Sequence, residues 1–395
     1  MSRAKILSHA KCVLPCCFSL LSVATWGFSQ SMLVDAQWAQ FRYQANHCGY
    51  NPHEMVLSPT TVGGLGLLWK YTTGSGVFSS PTVANGVVYI GSEDSNIYAL
   101  NAGTGALVWK YNTGNSVFSS LAALNGVVYE GLGGGGVVAL NAVNGVRVWL
   151  TGTGLGGTSS TPVAKGVVYV STSPYLYAMN ASTGAVLWKS PINGIYSPAV
   201  ANGVVYIGSA DGNVYSLNAS TGATVWKANF NGTTSPAVVN GVVYIGSADN
   251  NIYALNVSTG ALLWKYTTGN SVFRTSPAVA KGVVYDGSSD GNVYALNAGT
   301  GTLLWKYATG GTVESSPGVA NGVVYVGSDN NDVYALNART GALLWKYTTG
   351  SVVISSPAVV NGVVYVGSFD GNVYAFGLTG SDAASPPQHP KPAGR

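Results

Sequence analysis

Charge is scarce in this 395-residue chain: Asp, Glu, Lys and Arg make up 8% of it, and the formal net charge is +4. Hydrophobic residues make up 47%, so a large core is available, while Asn, Ser, Thr and Gly must keep the surface wet. Neither the net charge nor any Lys/Arg cluster suits nucleic acid or an anionic membrane surface, which excludes that class of partner. Cysteine is nearly missing. Cys12, Cys16 and Cys17 fall at the start, leaving Cys48 alone beyond residue 36. The body of the chain therefore has no internal disulfide framework and must be held by its core. No Cys-x-x-Cys-His haem motif is present. The apolar run Cys12–Ala24, broken by Pro15, is too short to span a bilayer, so no transmembrane span is expected.

What is present begins with Arg3, Lys5 and Lys11 ahead of that short apolar run, the pattern of an export signal. We expect residues 1–36 to be a signal peptide, with cleavage after Ala24 or Ala36, and the mature protein to be periplasmic or secreted. Attachment to the outer membrane through a lipidated Cys16 is the alternative, which Pro15 and the lack of an upstream apolar stretch oppose. At the other end, residues 379–395, rich in Ser, Ala, Pro, His and Lys, read as a disordered tail.

Between these ends lies one repeated sentence, for example Tyr253-Ala-Leu-Asn-Val-Ser-Thr-Gly-Ala-Leu-Leu-Trp-Lys-Tyr266. Its tryptophans fall at Trp69, Trp109, Trp149, Trp188, Trp226, Trp264, Trp305 and Trp345, a pitch of 38–41 residues. Self-similarity at that pitch means stacked supersecondary units, each unable to bury its own faces. One unit, 233–266, holds four strand-like runs (A to D) of Val, Ile, Tyr and Trp between turn signals. Asn-Gly or Lys-Gly precedes each Val-Val-Tyr run, and two residues able to take positive φ are what a tight hairpin between strands A and B needs. The apolar residues run consecutively rather than alternating, which predicts sheets buried on both faces.

Four-stranded antiparallel sheets stacked at about 40 residues are propeller blades. Blades 1 to 7 are expected at 77–111, 117–151, 157–190, 195–228, 233–266, 273–307 and 313–347. An eighth unit, 353–377, lacks its tryptophan strand, while Gly66–Tyr71 is a tryptophan strand with nothing before it. The fold class is therefore all-β: an eight-bladed β-propeller over 63–378, closed by an N-terminal strand that completes the last blade. Residues 37–62 do not match the repeat and are expected to form a capping segment laid over the domain. Lysine follows seven of the eight tryptophans, and a charge on the outermost strand opposes edge-to-edge aggregation. Each tryptophan is expected to wedge between blades; burying about 150–250 Å² of indole at roughly 25 cal/mol/Å² gives at most ~4–6 kcal/mol apiece.

The pattern Ala99-Leu100-Asn101…Thr104-Gly105…Trp109, repeated at Ala254…Trp264 and Ala335…Trp345, resembles the tryptophan-docking motif of the pyrroloquinoline quinone (PQQ) repeat family, with Asn where that family usually has Asp. The resemblance covers most of the chain and implies the propeller fold. The family includes quinoprotein alcohol dehydrogenases and non-enzymatic BamB-like exported propellers, so fold does not settle activity. In the dehydrogenases PQQ sits on the propeller axis between a tryptophan and a vicinal disulfide, beside calcium. Here the only adjacent cysteines are Cys16-Cys17, and every tryptophan after Trp38 is committed to docking. His47, Cys48, His53 and Glu54 lie close together but fit no zinc spacing. The turn acids such as Asp211, Asp249, Asp290 and Asp370 give one carboxylate per turn, which makes no calcium cage and reads as Asx-stabilised turns. We therefore expect no catalytic residue, no metal site and no cofactor.

Departures from the repeat are the better guide to function. Glu130 and Asp286 replace the usual Ile or Val after Val-Val-Tyr; Glu314 stands near the position of Phe78, Phe118 and Phe273; Arg274 adjoins Phe273. Since B–C and D–A loops share one face of a propeller, these seven residues are the candidate binding face, with Arg274, Asp286 and Glu314 as a polar patch. The glycine run 131–136 opens no helix and is a degenerate turn, no phosphate loop. The leading reading is a monomeric, non-enzymatic exported scaffold that binds an envelope or extracellular protein. The alternative is a PQQ-dependent oxidoreductase that would need PQQ and calcium; carbohydrate binding on the aromatic face is a third class.

Overall fold

A computed structural model describes residues 37–154, 159–194, 196–231 and 234–379. The expected leader (1–36) and all but Thr379 of the expected tail lie outside the described residues.

Eight antiparallel blades of four strands follow one another in chain order, and the seventh gains a fifth, parallel strand, Tyr50–Asn51, beside Val319 and Ala320. The A–B hairpins form because the chain supplies two residues willing to take positive φ: Asn240 at 50° and Gly241 at 80°, with Lys165 at 48° and Lys281 at 48° where asparagine is missing. The strand Leu65–Thr72 pairs with Asn372–Leu378, so the N-terminal strand completes the last blade and closes the circle.

All eight outer strands share one irregularity. In blade 1, Ala99 pairs with Trp109 but Leu100 pairs with Leu107, leaving Val108 as an extra residue. Such a bulge turns the tryptophan toward the next blade and swings two neighbours outward. Leu107 and Val108 are 43% and 47% exposed, as are their counterparts Leu262 (49%) and Leu263 (50%). The outer strands thus depart from the expectation of burial on both faces: the bulge gives up one apolar pair per blade to aim the indole.

Each indole Nε1 donates to a carbonyl of the following blade, Trp109 to Ala142 and Trp264 to Ala298 at 2.9 Å, and at the closure Trp345 to Leu65 at 2.9 Å. A tyrosine from strand B often shares that carbonyl: Tyr89 Oη reaches Ala142 O at 3.2 Å. The indole face is covered by the glycine of the Thr-Gly turn, so close that a Cβ on Gly260 would stand 2.6 Å from Trp226. The asparagine that replaces the usual aspartate holds this turn. Asn256 Oδ1 accepts the amides of Ser258 (2.9 Å) and Thr259 (3.1 Å).

Residues 38–51 run once around the inner rim, meeting the blades in order. The innermost strands would otherwise leave an unpaired backbone edge on the axis. Trp38 exchanges two 2.9 Å bonds with Val83. The amides of Ala123, Val200, Val238, Val279 and Val319 then bond the carbonyls of Ala39, Ala45, Asn46, Cys48 and Gly49 at 2.7–2.9 Å. Gln40 Oε1 accepts from the Val163 amide at 2.7 Å, and Asn51 Nδ2 reaches Val359 O at 2.8 Å. Inside this turn of chain Arg42, Tyr43 and His47 are buried, filling the axis at that level. No described helix is long and apolar enough to cross a membrane, which leaves strand-built spans untouched.

Two glycines separate the terms that hold the seams. Gly241 and Gly260 both have positive φ, 80° and 72°, but only Gly260 faces an indole. We expect Gly241→Ala to cost about 1–2 kcal/mol, the strain of a left-handed residue. Gly260→Ala should cost clearly more, because Trp226 must move; urea unfolding of the two variants compares them.

Candidate functional site

The B–C turns and D–A connections meet on one end of the ring, where Gly74 N donates to Asp94 Oδ2 at 2.7 Å across the two loop types. At the axis that end opens into a basin of about 350 Å³. Its floor is built from one serine per blade, Ser80 through Ser356, at the start of each innermost strand. These serines form a ring of their own. Ser120 Oγ accepts the Ser80 amide at 3.0 Å, Ser160 Oγ the Ser120 amide at 3.0 Å, and Ser80 Oγ the Ser356 amide at 3.0 Å; seven of the eight steps are bonded in this way, the step from Ser235 to Ser276 being the gap. Among the described residues none of these serine side chains donates a hydrogen bond, so their hydroxyls are free to donate into the basin. Ser276, 2% exposed, has no hydrogen-bond partner for its hydroxyl at all among those residues.

The wall is aromatic on one side. Phe78 packs edge-on against Phe118 at 5.6 Å and against Phe369 at 5.1 Å, and Phe41, from the segment on the axis, rises into the basin. Opposite stands the one ion pair of the mouth, Arg274 Nη1 to Glu314 Oε2 at 3.1 Å, with the guanidinium 5.7 Å over the Phe273 ring. Arg274 sits at φ 63°. Three residues separate Val272 from Ser276 where other blades use two, as from Val117 to Ser120, and the extra residue is thrown out as a left-handed bulge.

Five of the expected face residues are thus brought together: Phe78, Phe118, Phe273, Arg274 and Glu314. Glu130 and Asp286 are not. Both are 0% exposed, inside the ring. The reason is local, since the fourth residue of Val-Val-Tyr-x-Gly points into the blade stack, where Ile90 and Val170 are equally buried. Each acid is tied to a hydroxyl of its own innermost strand, Glu130 to Ser119 and Asp286 to Thr275 at 2.7 Å. Burial pushes the Asp286 carboxyl up to about 7, with Thr275 and nearby Arg42 opposing, and raises Glu130 well above its usual range. His47, fully buried beside Arg42, is pushed down to about 3. The sequence reading missed Phe41, Phe369, Tyr196 and the serine ring; Ser-Pro does recur shortly before the innermost strands, as at Ser80-Pro81 and Ser276-Pro277, but nothing in that repeat shows that the serines face one basin.

The residues at this mouth do not fit an anionic quinone beside calcium. Glu314 is the basin's lone carboxylate and is already paired, Arg274 is its lone cation, and no group of three His, Cys, Asp or Glu among the described residues could hold a metal ion.

Ring, seams and filled axis define the class: a tryptophan-docked, eight-bladed propeller built from PQQ-like repeats. The chain belongs to the family described as outer membrane protein assembly factor BamB, whose profile matches residues 65–228, 210–315 and 289–384. No curated protein matches it in sequence. Among solved structures it is similar to BamB from Moraxella catarrhalis, 21% identical over 79% of this chain and 99% of that one, with a TM-score of 0.69. It is also similar to the quinohemoprotein alcohol dehydrogenase ADHIIG from Pseudomonas putida HK5, 18% identical over 91% and 82%, TM-score 0.73. A europium-containing methanol dehydrogenase is 15% identical over 87% and 98%, TM-score 0.71. At these identities the likeness is one of fold.

The two buried acids generate a stability profile. Asp286 has a folded value near 7, above the 3.8 it would have unfolded, so the native state holds its proton more tightly. The contribution of Asp286 then falls as pH rises from about 4 to about 7 and levels off above, with Glu130 acting in the same direction, while His47, held near 3 against 6.5 unfolded, contributes the opposite slope over about pH 3 to 6.5. Urea midpoints from pH 4.5 to 8 isolate the acids by difference: Glu130→Gln/Asp286→Asn should gain on the parent as pH rises, up to about pH 7.

Proposed function

We propose that this protein is a non-enzymatic scaffold of the cell envelope that binds another protein through the face carrying the B–C and D–A loops. The observation that carries the reading is the axis occupied by the chain itself. With residues 38–51 bonded around all eight inner strands, the mouth is a shallow basin with an aromatic wall, suited to a protruding side chain or loop of a partner. Eight mutually hydrogen-bonded seams keep that face rigid, so a partner meets a preformed surface and little ordering cost. Membership of a family described as an assembly factor supports a binding role, and the export-like start at residues 1–36 supports an envelope location. The protein acts as a monomer and needs no cofactor.

Capture of envelope proteins by the mature chain tests this. Phe78→Ser with Phe118→Ser should release most of the captured partner, while Leu262→Ser on the outer rim should not. Titration with PQQ and calcium, followed by dye reduction with primary alcohols, is the opposing arm. Saturable PQQ binding with turnover would replace the scaffold reading by a dehydrogenase.

A further inference from the structure

Charge is sorted by face in this ring. Between residues 37 and 379 there are twelve Asp and Glu, of which four are buried: Glu54, Glu130 and Asp286, and Asp332, which Lys346 neutralises at 3.2 Å. The other eight all stand on B–C turns, or on the D–A connection in the case of Glu314. The thirteen Lys and Arg of the same span lie elsewhere: eight on the outer strands from Lys70 to Lys346, three at the opposite end (Lys165, Lys281, Arg339), and Arg42 on the axis. Arg274 alone shares the loop face, and Glu314 neutralises it.

The turn carboxylates are held in a repeated fixture. Asp211 Oδ1 accepts the Asn213 amide at 3.0 Å and Oδ2 the Tyr215 hydroxyl at 2.6 Å; Asp249 and Asp370 do the same with Tyr253 (2.6 Å) and Tyr374 (2.7 Å). Hydrogen bonds of this kind favour the charged form. Asp211 is held at about 2, and Asp94, Asp290 and Asp370 are also lowered, by Tyr hydroxyls and backbone amides acting against partial burial. The acids form a horseshoe. The B–C turns of blades 2 and 3, Gly133–Gly135 and Ser173–Pro174, carry none, so the negative arc runs over blades 4 to 8 and on to blade 1. At its centre lies the basin, with buried serine hydroxyls whose protons have no acceptor and phenylalanine rings exposed to whatever enters. The chain's own Arg274 already shows how a guanidinium is held there, between an aromatic face and a carboxylate.

We propose that the loop face docks a basic peptide segment of the partner protein, with an Arg or Lys side chain entering the basin among Phe78, Phe118 and Phe273. This rests on the scaffold reading and names the partner's chemistry. The arc of fixed carboxylates attracts and orients the basic segment. The serine hydroxyls supply donors to its backbone carbonyls, and the rings take the cation on their faces. An acidic or neutral segment would leave the carboxylate arc without a counterpart.

Fluorescence anisotropy of a labelled Arg-Gly octapeptide, with a Glu-Gly octapeptide as its counterpart, against the full chain tests this. The Arg peptide is expected to bind and the Glu peptide to fail, with binding weakened about tenfold or more between low and high salt. Asp94→Asn/Asp290→Asn/Asp370→Asn should weaken the Arg peptide about tenfold or more. That variant should fold, because blade 7 already carries Asn330 at this turn position, bonded to Tyr334 Oη at 2.6 Å. Should it unfold, Phe78→Ser is the substitute, with a loss of about tenfold expected from the missing cation–π contact. Equal binding of the two peptides, binding of neither, or an Arg-peptide affinity untouched by the variants would overturn the proposal. If the peptides fail while Phe78→Ser/Phe118→Ser still releases captured envelope protein, the scaffold reading stands and only the basic segment is wrong. If both fail, the scaffold reading falls with it.

Discussion

The indole N–H that reaches into the next blade is the contact on which the ring depends. A blade has two apolar faces and cannot bury them alone, so each seam has to be specific in angle as well as apolar. Trp264 supplies both at once. Its ring fills the gap, and Nε1 fixes the neighbour through the Ala298 carbonyl, where Tyr244 Oη also lands. Much else in the repeat serves that placement. The bulge before the tryptophan aims it, the glycine of Thr-Gly lies flat on its face, and the asparagine of the turn presents the carbonyl. The visible cost is the belt of half-exposed Leu and Val pairs on the outer strands.

A closed ring of this kind has a second problem at its centre, where eight innermost strands turn unpaired edges toward the axis. Residues 38–51 solve it by lending their backbone to each strand in turn, and Arg42, Tyr43 and His47 fill what is left. Buried charge follows from the same economy. Asp286 and Arg42 face each other's fields without a direct bond, and His47 stays neutral beside them. Such groups constrain the packing of the centre and take the acids Glu130 and Asp286 out of reach of any ligand.

The function proposed for this ring falls to the end where loops converge. There the chain collects features that packing does not require: an aromatic wall, an arginine on an extra residue, hydroxyls without acceptors and nearly all of the unburied carboxylates. Other propellers of similar fold carry out redox chemistry, yet this mouth offers one carboxylate already paired with one arginine.

Blade number, strand order, hairpins and closure were legible in the amino-acid sequence, because each rests on local or repeating chemistry: tryptophans at a 38–41-residue pitch, Asn-Gly before Val-Val-Tyr, and two half-blades at the ends. So was the placing of Arg274, Glu314 and three phenylalanines on one face, since strand order alone decides which loops share an end. Glu130 and Asp286 looked like face residues because they broke the pattern. Their position in that pattern, filled elsewhere by buried Ile and Val, already pointed inward. The circuit of residues 38–51 could not be read at all, since its partners lie one per blade along the whole chain and their bonds are to backbone, which carries no side-chain signature. The repeat thus determined the ring by itself. Only the tertiary structure decided what fills its axis and which polar groups open to solvent, because both depend on edges and hydroxyls that face one another once the circle has closed.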